Sequence, residues 1–521
     1  MIAWTGGSLT ALTGWRRLGA ALLVGAISAL GFAPFALFPC LLLGFAALVL
    51  LLDGAAGERR PLRAAAFTGF AFGFGQFAVG LHWIGYAFLV DPDSHAWQIP
   101  FVALLFPGGL ALFTASAAAA AGAFWKPGAS RILALTAAYA FSEWLRGHIL
   151  TGFPWNIAGY GWGASLSVLQ TTALIGVYGL SLLTVLLGAS LAELFAAKPR
   201  WQLPAILGVV FVLFFGGGAL RLALVPQATM TSVHLRLVQP NIPQADKYVR
   251  ALLRRNWQRL ISLSAAPGNP SLIIWPEAAP PFLLAEQPLA LEQIASLSKG
   301  RLGLMTGAIR RDFSPSDHIA YANSFFLIGP SGIILDQYDK SHLVPFGEYL
   351  PLEKTLTALG LSKLTGIDGS FTPGAGPVTI SVPGAGSVTP LICYEILFPD
   401  AVIGAKRPDW LVNITDDSWF GPWAGPRQHL LVARVRAIEE GLPVVRDANT
   451  GISAIIDPFG RINQQLGLGK TGVVDGVLPA PIASTPYSRI RGLAFWLLLC
   501  ANIALAWGLS QEKLVPKRWA P

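Results

Sequence analysis

The chain has 521 residues, 53% of them hydrophobic and only 12% charged, whereas an ordinary soluble domain carries about 25% charged residues. That balance excludes a purely water-soluble globule and points to an integral membrane protein with room for a further domain. The net charge of +9 includes no Lys/Arg-rich block with interleaved aromatics, which argues against a nucleic-acid partner; the basic residues are spread along the apolar half and the C-terminus, as a positive-inside bias requires.

Seven apolar stretches come first, at roughly 18–34, 36–52, 64–89, 98–124, 130–146, 170–195 and 203–222, and an eighth follows at roughly 490–510. Each is about long enough to cross a ~30 Å hydrocarbon core. The first does not read as a cleavable signal peptide, because more apolar runs follow at once and no A-x-A-like site does. Arg16, Arg17, Arg59, Arg60, Arg63, Lys126, Arg131, Lys198, Arg200, Lys513, Lys517 and Arg518 all fall on one side if the N-terminus is cytoplasmic. The loop at 90–97 has no Lys or Arg and falls on the other side. Both termini are therefore expected in the cytoplasm and residues 225–488 outside it. The expected organisation is a seven-helix membrane domain over 1–224, a catalytic domain over 225–488, and a last helix with a cytoplasmic tail over 489–521.

Within the membrane half, Glu143 and Arg146 sit at i,i+3 spacing near the end of the fifth stretch and can pair; a functional and a structural role are both open. Trp155 and Trp162 fall where an interfacial aromatic belt is expected, with contact to an acyl substrate as the alternative.

Residues 225–488 alternate between strand-like and helix-like runs. Strands are expected at 233–238, 272–275, 302–308, 324–328, 332–335, 388–393, 410–414 and 452–456, and helices at 247–264, 285–298 and 428–440. Apolar strands with intervening helices imply a sheet covered by helices. The Gly-, Pro- and Thr-rich segment 345–386 reads as a long mobile insertion able to serve as a lid.

Three residues in this half carry chemistry, each just past a strand-like run. Glu277 ends Trp275-Pro276-Glu277, Lys340 follows Tyr338-Asp339, and Cys393 follows Leu391-Ile392. A thiol attacks as its thiolate, a carboxylate can take the thiol proton, and an ammonium can stabilise an oxyanion. Taken singly, each has an ordinary alternative: Cys393 as a small core residue, Glu277 as a helix cap, Lys340 as a solvated charge. The remaining cysteines, Cys40 and Cys500, lie in apolar stretches, so the domain has no disulfide framework. His429 reads as a structural histidine at the start of a helix. The Gly467-Leu468-Gly469-Lys470-Thr471 run is not a phosphate loop, because position 464 is Gln464. No H-E-x-x-H, C-x-x-C or G-x-S-x-G pattern occurs, so metal, redox and serine-hydrolase readings lack support.

Together, Trp275-Pro276-Glu277, Tyr338-Asp339-Lys340-Ser341-His342 and Ile392-Cys393-Tyr394-Glu395 resemble the Glu-Lys-Cys triad of the nitrilase superfamily. The membrane stretches narrow the resemblance to the bacterial apolipoprotein N-acyltransferase family, and it extends over nearly the whole chain. It includes Ser142-Glu143-Trp144-Leu145-Arg146, Gly152-Phe153-Pro154-Trp155, Val238-Gln239-Pro240-Asn241-Ile242-Pro243-Gln244, and Asp417-Ser418-Trp419-Phe420-Gly421 followed by Gln428-His429. The resemblance implies an integral membrane α-helical bundle of about eight transmembrane helices plus a periplasmic α/β domain of the αββα sandwich type, in the bacterial inner membrane. It implies transfer of a fatty acyl chain from a phospholipid, typically phosphatidylethanolamine, onto the cysteine as a thioester. The chain then passes to the α-amino group of the S-diacylglyceryl cysteine of an apolipoprotein. Glu277 would be the base, Lys340 the oxyanion stabiliser and Cys393 the nucleophile. Glu348 and Glu395 match further functionally important acids, and Tyr394, Trp419 and Phe420 match aromatic positions near the site. Pro240, Tyr248 and Asp416 depart from the usual Gly, Trp and Asn of the family, which touches substrate contacts and not the triad. No cofactor, metal or nucleic acid is expected, and the protein is expected to be a monomer. A membrane-tethered amidase or nitrilase is the alternative enzyme reading; a transporter or scaffold is the alternative without catalysis.

Overall fold

Long runs of Leu, Ala, Phe and Gly with few charges form the helices of the first part of the chain. In the computed structural model, which describes residues 6–196, 198–312, 320–358, 363–364 and 370–511, two compact units emerge. The first comprises Met1–His82, Ile99–Leu224 and Thr485–Pro521, and the second Trp83–Gln98 and Val225–Ser484.

The helical unit contains Gly14–Ser28, Phe38–Ala56, Pro61–Gly80, Ile99–Ala123, Ala129–Arg146, Thr172–Ser190, Gln202–Leu224 and Leu493–Gln511. Among the described residues, four helices are long and apolar enough to cross a membrane, and a fifth is if Pro61–Gly80 and His82–Leu89 count as one bent span. The expected stretch 64–89 is thus not one straight helix: the chain leaves helical geometry at Leu81 and turns by 49°. The expected stretch 18–34 ends as a helix at Ser28, ahead of Pro34, whose ring disfavours helix at the residue before it. Gly25 and Gly75 let two helices touch, since a Cβ on either would collide with the carbonyl of Phe72 or Leu22.

Glu143 and Arg146 do not bond each other directly. Glu143 accepts from the Ala158 amide (2.9 Å) and from the Ser181 hydroxyl, and Arg146 donates to the carbonyls of Phe153 (2.6 Å) and Trp155 (2.8 Å). Trp155 is buried, and so is Trp162, whose ring stacks with Phe38 and Phe211 and donates to Thr184 Oγ1 (2.8 Å). Neither ring lies on this unit's surface as an interfacial belt would require.

The second unit has thirteen strands in the described residues: β1 Met230–Gln239, β2 Leu272–Ile274, β3 Gly303–Asp312, β4 Ala320–Ile328, β5 Ile334–Asp339, β6 Ser370–Phe371, β7 Ile380–Val382, β8 Gly386–Ile392, β9 Trp410–Thr415, β10 Val444–Ala448, β11 Ser453–Ile456, β12 Ile462–Leu466 and β13 Gly472–Pro479. They form two mixed sheets, ordered β13-β1-β2-β3-β4-β5 (with β6 on β4) and β12-β11-β10-β9-β8-β7. Leu235, Ile274, Met305 and Phe325 of the first sheet share a core with Ile392, Trp410, Val412 and Val445 of the second, so the sheets pack face to face. Helices Leu253–Ser264 and Pro288–Ser298 cover the outer face of the first sheet through Trp257, Leu260 and Ile294, and Ala424–Glu440 packs against β10. The layering is helix, sheet, sheet, helix.

Strands β6, β7, β10, β12 and β13 were not anticipated from the sequence. They are short, polar or glycine-containing: β10 reads VVRDA and β12 INQQL. The expected helix 247–264 is interrupted after Lys247 and resumes at Leu253. Segment 345–386 contains a short helix, Glu353–Ala358, and β6 and β7; the lid expectation falls partly on 359–362 and 365–369, and the basic tail on Lys513, Lys517 and Arg518, all outside the described residues. Trp83–Gln98 belongs to this second unit, where Trp83 Nε1 donates to Gln428 Oε1 (3.0 Å) and its ring meets Phe420 edge-on at 4.7 Å.

Candidate active site

The parallel strands of each sheet end on the same side, and the three expected reactive residues leave from three of those ends. Glu277 follows β2, Lys340 follows β5, and Cys393 follows β8. Lys340 Nζ lies 3.4 Å from Glu277 Oε1, and Cys393 feels the charges of both. Glu277, Lys340 and Cys393 are all buried. The structure therefore brings Glu277 and Lys340 into contact and puts Cys393 within reach of their charges, although 116 residues separate the first from the last.

The backbone here is bent to suit. Cys393 has φ +50° and Ala278, beside Glu277, has φ +46°, a region that side chains rarely adopt and that clusters at functional sites. Gly307 on β3 is required by close approach, since a Cβ there would lie 2.7 Å from the Glu277 Cα.

Each carboxylate near Lys340 has a defined set of partners. Glu277 Oε1 accepts from Asn323 Nδ2 (2.8 Å), and Oε2 accepts from the Asp416 amide (2.9 Å). Glu348 accepts from Lys340 Nζ (3.0 Å), Asn323 Nδ2 (2.9 Å) and the Val344 amide (2.8 Å). Asn323, which sequence reasoning did not pick out, bridges the two acids; its one signal was an amide side chain within the largely apolar AYANSFFLI run of β4. Glu395 is a brace: it accepts from Tyr338 Oη (2.5 Å), the Ser341 amide (2.7 Å) and the His342 amide (3.2 Å), and also from the Ile392 amide (2.8 Å). It therefore ties the segment after Lys340 to the strand end that carries Cys393.

Burial pushes the Glu277 carboxyl up, the Lys340 ammonium opposes this, and Glu348 and Asp416 push it further. Burial also works against charge on Lys340, but Glu348 and Glu277 outweigh it and raise its pKa. Burial raises the Cys393 thiol well above its usual value; the Glu277 carboxylate adds to this, Lys340 offsets it, and Asp417 adds again. The group is a neutral thiol facing an unusually basic carboxylate, with a lysine that stays charged.

Beneath Cys393 lies a second polar cluster. Asn413 Nδ2 donates to the carbonyls of Leu391 (3.1 Å) and Cys393 (3.5 Å), and His429 Nε2 lies 3.2 Å from the Cys393 oxygen. His429 Nδ1 lies 2.9 Å from Asp417 Oδ1, and Arg446 donates to Asp417 Oδ2 (2.6 Å) and to Asn413 Oδ1. Burial opposes charge on Asp417, yet Arg446 and His429 hold its carboxyl at about 2. Burial and Arg446 lower the His429 pKa, with Asp417 offsetting them. His429, expected to be structural, thus touches the backbone of the candidate nucleophile.

The other expected residues are distributed unevenly. Tyr394 is buried, with its ring against Phe398 (5.2 Å) and His342 (5.6 Å). Phe420 meets Trp83 and His429, while Trp419 is partly exposed. Tyr248 is partly exposed, but its phenol feels Lys247, Asp416 and Glu277. Lys247 donates to Asp416 Oδ2 (2.6 Å) and to the Glu277 carbonyl (3.2 Å), linking the departure at Asp416 to the candidate base. Trp155 lies in the helical unit. Among the described residues, no group of three or more His, Cys, Asp or Glu side chains could hold a metal ion.

Residues 24–190 match the family described as apolipoprotein N-acyltransferase N-terminal domain, and residues 234–487 match carbon-nitrogen hydrolase. The chain is 47% identical to an apolipoprotein N-acyltransferase of Rhodopseudomonas palustris, over 94% of this chain and 95% of that one. It is 44% identical to that of Bradyrhizobium diazoefficiens (97% and 96% covered) and 42% identical to that of Brucella suis (92% and 93%). With identity at this level sustained from end to end, the chain belongs to the apolipoprotein N-acyltransferase family.

Proposed function

We propose that the chain is an N-acyltransferase that moves a fatty acyl group from a membrane phospholipid to the α-amino group of a diacylglyceryl-modified apolipoprotein, through a thioester on Cys393. The observation that carries this reading is the buried meeting of Glu277, Lys340 and Cys393 in a chain of this family. The donor is taken to be phosphatidylethanolamine, the working form a monomer, and the membrane part a bundle of eight crossings. The catalytic domain over 225–488 is taken to face the periplasm, with both termini in the cytoplasm.

The chemistry follows from the elevated proton affinities. Glu277 removes the thiol proton as sulfur attacks the ester carbonyl, so that a thiolate never waits in a buried site. The oxyanion that forms is stabilised by Lys340, which donates to Glu348, a carboxylate that Asn323 in turn holds. Glu277 returns its proton to the departing lysophospholipid oxygen, leaving acyl-Cys393. The acceptor amine then attacks the thioester, Glu277 takes the amine proton, and an amide forms as the sulfur leaves and is reprotonated. Water must be kept out, because it would compete for the thioester. Half-buried Phe420 and the segment 345–386 are assigned to that task.

The test is intact mass after incubating the full chain with phosphatidylethanolamine and no acceptor. The expected result is one added acyl mass on the wild type, removed by hydroxylamine and missing from Cys393→Ala. Free fatty acid without an acyl adduct, or ammonia released from soluble amides, would turn the reading towards an amidase.

A further inference from the structure

The helix Gln244–Lys247 stops at Lys247, and helix does not resume until Leu253. The Lys247 side chain turns into the protein and is 2% exposed. Its Nζ donates to Asp416 Oδ2 (2.6 Å) and to the Glu277 carbonyl (3.2 Å). Asp416, also buried and just past β9, donates its own amide to Glu277 Oε2 (2.9 Å). Its Oδ1 accepts from the Ser418 amide (3.2 Å), the Ser418 hydroxyl and Asn449 Nδ2 (3.0 Å). The pair thus holds Glu277 at two points: the carboxylate, and the peptide that leads into Ala278 with its φ of +46°. The base has a member of an ion pair at each carboxylate oxygen, Lys340 with Glu348 at Oε1 and Asp416 with Lys247 at Oε2.

We propose that Lys247 and Asp416 are a positioning pair for Glu277: Lys247 fixes its peptide, Asp416 fixes its carboxylate, and the charge of Asp416 keeps the cation of Lys247 from weakening the base. This rests on the reading of Glu277 as base and Cys393 as nucleophile. Neither member of the pair touches the reacting atoms or exchanges a proton. A cation beside a carboxylate favours its ionised form and so makes it a weaker base, and a second carboxylate does the reverse. Lys247 without Asp416 would hold Glu277 in place at the expense of its basicity; with Asp416 at 2.6 Å it holds without that loss. The charged and titratable groups facing Glu277 are Lys340 after β5, Glu348 beyond it, Cys393 after β8, Asp416 after β9, and Lys247 and Tyr248 at the helix end. Burial raises the proton affinity of Glu277, Lys340 opposes this, and Glu348 and Asp416 add to it. The alternative is a brace, in which the pair only ties the helix end to β9.

The deciding measurement is the pH dependence of acyl-Cys393 formation, followed by intact mass in the solubilised full chain with phosphatidylethanolamine and no acceptor. Glu277 must be ionised to act as base, so the rate climbs with pH through its apparent pKa. Asp416→Asn keeps the shape and the backbone amide, and removes the charge that faces Lys247. The midpoint of the climb should move to lower pH by about one unit, and the plateau should fall with the strength of the base. Lys247→Gln removes the cation and keeps a donor for the Glu277 carbonyl. Asp416 retains its donors from Ser418 and Asn449 and stays charged, so the midpoint should move the other way, to higher pH. Either variant decides the matter should the other fail to fold. A midpoint unmoved in a folded variant overturns the proposal, even where thermal stability falls, because a brace alone does not change the proton affinity of the base. A climb that persists unchanged in Glu277→Gln belongs to another group; it would overturn the reading of Glu277 as base, and the proposal with it.

Discussion

Two buried charge clusters meet at Cys393, one from each sheet, and they are built on opposite principles. On the first sheet, Glu277 and Glu348 share Lys340 and Asn323, and burial leaves the proton affinity of Glu277 raised. On the second, Asp417 is locked between Arg446 and His429 with its carboxyl at about 2. The first cluster holds a carboxyl whose proton affinity is raised, and the second holds one whose proton affinity is lowered. A nucleophile that must lose and regain a proton at a fixed position needs both, a mobile partner on one side and an immobile frame on the other.

The largest effect expected from breaking this division is on the mobile side. Glu277→Gln keeps the shape and removes the base, so acyl-Cys393 formation should fall about 10²- to 10⁴-fold in a time course by intact mass. A rate near wild type would remove Glu277 from the mechanism. On the immobile side the expected loss is of stability. Arg446→Met removes the guanidinium that compensates the buried Asp417 carboxylate, at a cost of about 3–5 kcal/mol in thermal unfolding. Lys340→Met should cost less, because Glu277 can take up a proton in place of its cation. Equal losses for the two variants would mean that the two clusters do not differ as described.

A smaller effect is expected at His429. His429→Gln should cost about 1–2 kcal/mol through the lost contacts to Asp417 and the Cys393 carbonyl, while Arg446 still compensates Asp417. A loss as large as that of Arg446→Met would show that the ring, not the guanidinium, carries the frame.

The smallest effect concerns Asp447, the neighbour of Arg446 on β10. Ser453 Oγ lies 2.7 Å from Gln239 Oε1 and 3.0 Å from Asp447 Oδ1, and it has one hydrogen to give. With that hydrogen on Gln239, a protonated Asp447 completes the set, and burial raises its pKa well above the usual value. A raised carboxyl favours the fold below the unfolded-state pKa of about 3.9, and that contribution is lost as pH rises through the folded value. Asp447→Asn should therefore flatten the decline of thermal stability from about pH 4 upward. The opposite sign holds for Asp417: its contribution is present above about pH 3.9 and is lost as the pH falls towards 2. A steeper alkaline decline in Asp447→Asn would contradict the neutral assignment.

The three candidate residues were legible through a resemblance to a known family, and each also stands just past a strand, where side chains leave a sheet. Glu348 and Glu395 came from resemblance, and the structure adds what they do: one holds Lys340, the other ties the segment after Lys340 to the strand of Cys393. Asn323 and Arg446 were not legible. A polar residue inside a short strand looks like noise in a hydrophobic pattern, and its meaning depends on which face it takes and what lies opposite.

Sequence alone determined the membrane character, the division into apolar helices and an α/β part, and which three residues are the candidates for the reactive set, because composition and strand-end position are local properties of the chain. Only the tertiary structure decided that Trp83–Gln98 groups with the α/β unit, that Glu143 and Arg146 take separate partners, and that Cys393 stands over a cluster of fixed charge. Those outcomes depend on contacts between residues far apart in the chain. Burial then sets how strongly each charge is felt and each proton held, and no stretch of sequence read by itself contains that.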